Sequence, residues 1–304
     1  MNHGRYLFIT FSFLLAAGIF FPYTPNESMS EDSFKQVNIK QQGFCLISVY
    51  DNYQVDKELK SAWGFATVVK TPDETLLFDT GGNSEILLFN MKKINYPAAE
   101  QRGIVKSIER PKGRGIEPSS ASGGLNIDPQ SIDKVIISHI HADHLGGLKG
   151  FLEENKNVTV FIPSSFPDSI RDMIKNHQAE FTDVYGPQKI SKNICSTGKL
   201  SGPPKEQSII INSKRGLIII TGCAHPGIIS IIKIGKEVFP EQKIYLVVGG
   251  FHHPPVSVVE ELKESGVEKI APSHCTGDQV IEVFKKEYRD NFIEYGVGKA
   301  IEIN

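Results

Sequence analysis

The 304 residues include four cysteines, 40% hydrophobic and 22% charged residues, and carry a formal net charge of −2. These values suit a globular α/β chain. They exclude a small disulfide-stapled scaffold, because Cys45, Cys195, Cys223 and Cys275 lie far apart with no CxxC pair. The lack of a basic excess means that no nucleic-acid partner is expected. The short basic stretch at Lys112 and Arg114, set among Gly and Pro, reads as a solvated loop.

Residues 7–21, LFITFSFLLAAGIFF, form an uncharged apolar run preceded by Arg5 and the α-amino group. This is the order of a secretory signal, and the run is shorter than the ~20 residues that span a bilayer. Residues 1–28 therefore read as a signal peptide or N-terminal anchor. The protein is expected to be exported, periplasmic or extracellular, or attached to a membrane through residues 7–21.

Residues 44–50, 65–70 and 75–79 are rich in β-branched and aromatic residues and are punctuated by Gly, Pro and Asp, which predicts three strands. A helix is predicted over 84–94. Residues 95–124 sustain no period and hold Pro97, Pro111, Pro118 and five glycines. They read as a loop insertion, either a lid or a passive surface excursion. KVIIS at 134–138 is a nearly continuous apolar strand, as in a sheet covered on both faces. Further along, strands are predicted at 158–162, 208–212, 216–221, 243–248 and 268–272. Helices are predicted near 145–153, 167–177, 226–238, 256–265 and 277–288. The pattern of strands followed by alternating strands and helices occurs twice, changing over near residue 190. That implies two similar α/β halves in one domain spanning 43–304.

Immediately after the strand at 134–138 stand His139, His141, Asp143 and His144, four candidate metal ligands within six residues. The spacing is too tight for one helical face, but a loop leaving a strand end can fold such side chains around a centre. Imidazole and carboxylate suit zinc and iron. Four protein ligands on one ion would leave no open catalytic position. Two adjacent ions resolve this, with His139 and His141 on one and Asp143 and His144 on the other. His225 and His274 also follow predicted strands, where α/β sheets tend to place their sites, and they join the ligand set.

His139-x-His141-x-Asp143-His144 resembles the signature of the metallo-β-lactamase superfamily, and Leu77-Phe78-Asp79-Thr80-Gly81 resembles its preceding strand-turn motif. Thr221-Gly222-Cys223-Ala224-His225, Gly249-Gly250-Phe251-His252 and His274-Cys275-Thr276-Gly277 are similar to a branch labelled 7,8-dihydropterin-6-methyl-4-(β-D-ribofuranosyl)-aminobenzene-5′-phosphate synthase-like. The resemblance covers about residues 43–304. It implies a four-layer αββα sandwich with two metal ions at one edge, and Asp79 as a residue orienting the ligand loop. The aspartate that bridges the metals in many members is not evident. Cys223 stands near its expected place, and two readings stay open for it, a thiolate ligand or a packing residue.

Two metals lower the pKa of bound water and clamp an attacked centre. The expected function is thus a metal-dependent hydrolase that uses a metal-bound hydroxide on a small-molecule ester, phosphoester or amide, with two divalent ions, zinc by preference. Asp143 would hold a metal and orient the nucleophile. His252 would contact substrate or act as an acid, with a structural role as the other reading. Iron redox chemistry fits less well, since flavin-linked iron members carry a carboxylate where His141 stands. The alternatives are a transferase joining a pterin-type pyrophosphate to an aromatic amine and a non-catalytic metal-binding module.

Overall fold

A computed structural model describes residues 43–94, 96–97 and 124–303. The signal or anchor expected over 1–28, with its apolar run 7–21, and Lys112 and Arg114 lie outside the described residues.

The first sheet contains β1 (Phe44–Asp51), β2 (Phe65–Lys70), β3 (Thr75–Phe78), β6 (Lys134–Ile136), β7 (Thr159–Pro163), β8 (Glu180–Val184) and β15 (Ala300–Ile303), in the order β15-β1-β2-β3-β6-β7-β8. The second contains β9 (Gln188–Ser191), β10 (Ile194–Ser196), β11 (Ile209–Ser213), β12 (Gly216–Thr221), β13 (Ile244–Gly250) and β14 (Lys269–Ser273), in the order β14-β13-β12-β11-β10-β9. The changeover near residue 190 thus falls close to the passage from one sheet to the other. A two-residue ladder pairs β4 (Tyr96–Pro97) with β5 (Gly124–Leu125) at the ends of the stretch expected to be a loop, and the residues between lie outside those described.

Side-chain alternation explains the layering. Leu76, Phe78 and Ile136 of the first sheet meet Ile209, Ile211, Ile218, Ile220, Leu246 and Val248 of the second in one buried cluster. Their neighbours Leu77, Val135 and Ile137 face the opposite way and pack with Leu87, Met91, Leu148 and Phe151 from the helices Ser84–Lys93 and Leu148–Glu154. On the outer face of the second sheet, a Cβ at Gly235 of the helix Ile228–Val238 would lie 3.0 Å from Ile219. The result is helix, sheet, sheet, helix: the αββα sandwich.

β3, β6 and β7 run parallel, and so do β12, β13 and β14. β1 is antiparallel to β2, which is antiparallel to β3, so β1 shares the direction of β3. Residues 51–52, 79–80, 137–144, 222–225, 251–253 and 274 therefore all leave the carboxyl ends of strands.

Among the described residues no helix is long and apolar enough to cross a membrane. On that finding the expected membrane attachment is corrected, and nothing among the described residues supports export; residues 7–21 lie outside them. An apolar run shows what a segment could partition into and leaves its destination open.

Gln207, fully buried between the sheets, clamps them together. Its Nε2 donates to Ile137 O at 2.9 Å and Phe161 O at 3.2 Å, its Oε1 accepts from Ser196 Oγ at 2.7 Å, and its backbone N–H donates to Ser138 O at 2.9 Å. Gln207→Leu leaves buried polar partners unpaired and is expected to cost roughly 1–3 kcal/mol of unfolding free energy. Denaturant titration of the metal-free protein checks this, and an unchanged midpoint would show that the clamp carries no stability.

Candidate metal centre

The ligand loop is held from both sides. Asp79 follows β3 with a left-handed φ of 59° and is fully buried. Its Oδ1 accepts from Ser138 N at 2.6 Å, and its Oδ2 accepts from Ser138 Oγ and His144 Nδ1, both at 2.7 Å. Thr80 N and Oγ1 both donate to His144 O at 2.8 Å. Gly222 is required where the second sheet approaches this loop, because a Cβ there would lie 2.2 Å from Ser138 Oγ.

The six expected ligands and Cys223 gather in two neighbouring groups. Nitrogen atoms of His139, His141 and His225 lie within 4.8 Å of one another, as do ligand atoms of Asp143, His144, Cys223 and His274. His139 and His141 fall in one group, Asp143 and His144 in the other. Cys223, with two open readings, lies in the second group. It also forms a third overlapping group with His225 and His252, again within 4.8 Å. Its Sγ is 3.2 Å from His144 Nε2. His252 stands with its ring 4.3 Å from that of His225.

One rule governs four of the imidazoles: Nδ1 is tied to a polar neighbour, which leaves Nε2 for the centre. His139 Nδ1 meets Ser138 Oγ at 2.9 Å. Since that hydroxyl already donates to Asp79, the imidazole carries the proton on Nδ1 and a lone pair on Nε2. His144 Nδ1 meets Asp79 Oδ2 at 2.7 Å, His225 Nδ1 meets Glu206 Oε2 at 2.7 Å, and His274 Nδ1 meets Asn52 Oδ1 at 3.0 Å. Such partners fix tautomer and ring orientation in metal sites. His139 Nε2 and His225 Nε2 are buried with no hydrogen-bond partner, while their rings sit 4.6 Å apart. Buried polar atoms are ordinarily satisfied, and a cation accepting both lone pairs accounts for them. The donor set of imidazoles, one carboxylate and one thiol is that of zinc and related divalent ions.

The protonation states of His139, His141, His274 and Asp143 favour the same occupant. Burial, reinforced by the neighbouring imidazoles, holds His139 and His141 below the ordinary histidine range, and burial takes His274 down to about 4. They are neutral at pH 7, as ligands must be. Burial works against the Asp143 carboxylate, but the hydrogen bond from His274 and the field of His144 outweigh it and hold the group well below its usual range. For His144 burial opposes the charge, and the Asp79 carboxylate overcomes it and raises the pKa. His144 Nε2 then also carries a proton, facing His274 Nε2 at 3.1 Å, and a metal taking that nitrogen displaces the proton. The Cys223 thiol is pushed up by its contact with Cys275 and by burial, so in the metal-free protein it is neutral.

Glu206, Asn52 and Ser138 were not found from sequence. Glu206 is fully buried and accepts from the backbone N–H groups of Cys223, Ala224 and His225 at 3.0, 2.8 and 2.9 Å, besides the His225 ring. Burial disfavours its charge, yet the hydrogen bonds from His225 and Ala224 lower its pKa. In the sequence it stands in PPKEQS, where a glutamate reads as solvated.

The sequence profile of the Metallo-beta-lactamase superfamily matches residues 64–267. The chain belongs to this superfamily. It is 28% identical over 277 residues to 7,8-dihydropterin-6-methyl-4-(beta-D-ribofuranosyl)-aminobenzene-5'-phosphate synthase of Methanocaldococcus jannaschii, covering 75% of this chain and 84% of that protein. A shorter stretch of 63 residues, 19% of this chain, is 33% identical to Ribonuclease Z of Pediococcus pentosaceus, covering 20% of that protein. Among solved structures, Tm1679, described as a metal-dependent hydrolase of the beta-lactamase superfamily, aligns with a TM-score of 0.60 at 23% identity. It covers 86% of this chain and 99% of that one. At that identity the structural likeness shows the fold, the αββα sandwich described above.

The likeness to ribonucleases corrects the expectation that nucleic acid is no partner. That expectation rested on net charge, which counts side chains alone. A metal centre brings its own positive charge to a phosphate and needs no basic stripe.

Glu206→Gln would turn an amide NH2 toward backbone donors and loosen His225. A 10- to 100-fold loss of metal affinity is expected, roughly the effect of removing such a partner. Competition with a chromophoric chelator measures it, and unchanged affinity would mean that His225 is not held for a metal.

Proposed function

We propose that this protein is a dinuclear zinc hydrolase of phosphate esters. His139, His141 and His225 would hold one ion, and Asp143, His144 and His274 the other, with Cys223 shared between them. The observation that carries the reading is the pair of adjoining ligand groups with two buried, unpartnered Nε2 atoms on rings 4.6 Å apart. The phosphate-ester preference draws support from the two named relatives, one a ribonuclease and the other a synthase of a 5'-phosphate.

When bound, the two ions supply Lewis acidity and lower the pKa of water. The chain supplies order. Asp79, Ser138, Glu206 and Asn52 lock four imidazoles before any ion arrives, so little reorganisation accompanies binding. Asp143 remains an anion near neutral pH and is half-exposed at the mouth, where it can orient a nucleophile. His252 is exposed, sits at φ 50°, and is kept below the ordinary histidine range by burial of part of its ring and by His225. As a neutral imidazole it serves as a hydrogen-bond donor to the leaving group more readily than as a charged acid.

A second reading is favoured by the 28% identity over 75% of the chain: a transferase that uses the same centre on a pterin diphosphate. Assaying the zinc-loaded protein on bis(4-nitrophenyl) phosphate, 4-nitrophenyl acetate and a β-lactam, and separately on a pterin diphosphate with an aromatic amine, divides the two. Under the first reading the phosphodiester is cleaved fastest. Asp143→Ala then drops to background while the metal-free variant melts as the parent does. Turnover only in the presence of the amine would contradict it.

For Cys223, replacement by Ser should weaken retention of zinc, because a hydroxyl is a much poorer ligand than a thiolate, and zinc should protect the parent thiol from alkylation. Equal alkylation rates with and without zinc would return Cys223 to a packing role.

A further inference from the structure

The chain's single tryptophan, Trp63, is 56% exposed although it is the largest apolar side chain present. Its ring centroid lies 4.9 Å from that of His274, with the planes inclined at 51°. Trp63 therefore borders the Asp143–His144–Cys223–His274 group, whereas the His252 ring packs on His225.

Its position is fixed by the backbone that follows. Gly64 has a φ of 140°, and a Cβ there would lie 2.4 Å from Asp143 O, 3.1 Å from Gly82 N and 3.0 Å from Tyr50 Cε1. The chain at Gly64 is thus wedged against the ligand loop and enters β2 directly. Trp63 is held at the rim of the centre, with more than half of its surface turned to solvent. Burying an indole of this size would be favourable, and within the described residues nothing covers it. An aromatic surface left open beside a reactive centre is the arrangement by which proteins stack flat rings.

We propose that Trp63 is the binding platform for a planar aromatic ring of the substrate, which stacks on the indole while an attached anionic ester group reaches the metal centre. The substrate class is then an aromatic or heteroaromatic phosphate, in preference to an aliphatic one. This rests on the hydrolase reading for the anionic group, but the stacking is read by binding alone.

The test uses the zinc-loaded full chain and two ligands with non-hydrolysable carbon–phosphorus bonds, 1-naphthylphosphonate and propylphosphonate, titrated by calorimetry. The parent should bind the naphthyl compound about tenfold tighter or more. Trp63→Ala should erase most of that advantage and leave the propyl compound's Kd within about twofold, while Trp63→Phe keeps the preference within about threefold of the parent. Zinc content and thermal melting of both variants establish that the centre is intact. No naphthyl preference in the parent, or a preference that survives Trp63→Ala, overturns the proposal. A protein that stacks the naphthyl ring yet hydrolyses no ester keeps the platform and loses the hydrolase reading, so the two failures are distinguishable.

Discussion

The grip of a single buried carboxylate organises this edge of the molecule. Asp79 emerges from β3 and accepts three hydrogen bonds, from Ser138 N, Ser138 Oγ and His144 Nδ1. Burial pushes its pKa up, and the His144 charge and these donors offset only part of that rise. Through Ser138 it fixes His139, and directly it fixes His144, so one residue sets a ligand in each of the two groups. Glu206 performs the same task from the second sheet on His225 and the turn around Cys223. Each sheet thus contributes one buried acid whose charge is satisfied by donors. Those donors in turn aim imidazole nitrogens at a common space. An unpaired charge at either place would be costly, and its cost is offset only if the ligand geometry forms.

The sandwich brings these pieces into register. Parallel strands in both sheets deliver Asp79, the His139–His144 loop, Cys223, His225, His252 and His274 to one edge. Gly222 lets the two halves approach at Ser138, and Gln207 ties them one residue beyond Glu206. Ligand placement and sheet packing are therefore one problem, solved in the short linker between β10 and β11.

Much of this was legible in the sequence because it is written in periodicity and local spacing. The apolar runs of β3, β6, β12 and β13 announce buried strands, and His139 to His144 announce a metal loop. The missing parts are those whose meaning is non-local. Glu206 and Asn52 are ordinary polar residues until the fold brings them against His225 and His274, 19 and 222 positions away. The edge strand Glu180–Val184 carries mostly half-exposed residues, and Ile194–Ser196 is three residues long, so neither shows a sustained pattern. Cys223 could not be assigned from its flanks, since an apolar strand precedes it and a ligand histidine follows it. The fold sets it with Asp143, His144 and His274 and also with His225 and His252, a setting that supports the ligand reading proposed above. The net charge misled on nucleic acid because the positive charge that matters would be carried by ions, not side chains.

The central claim is that two adjacent ions are held by imidazoles preset through their Nδ1 partners, with one shared thiolate. X-ray absorption at the zinc edge of the zinc-loaded protein tests it most directly. The account predicts nitrogen and oxygen ligands near ~2.0–2.1 Å with a sulfur contribution near ~2.3 Å, together with metal–metal scattering at about 3.5–4 Å. A single zinc environment with no sulfur and no second metal within that distance would contradict it.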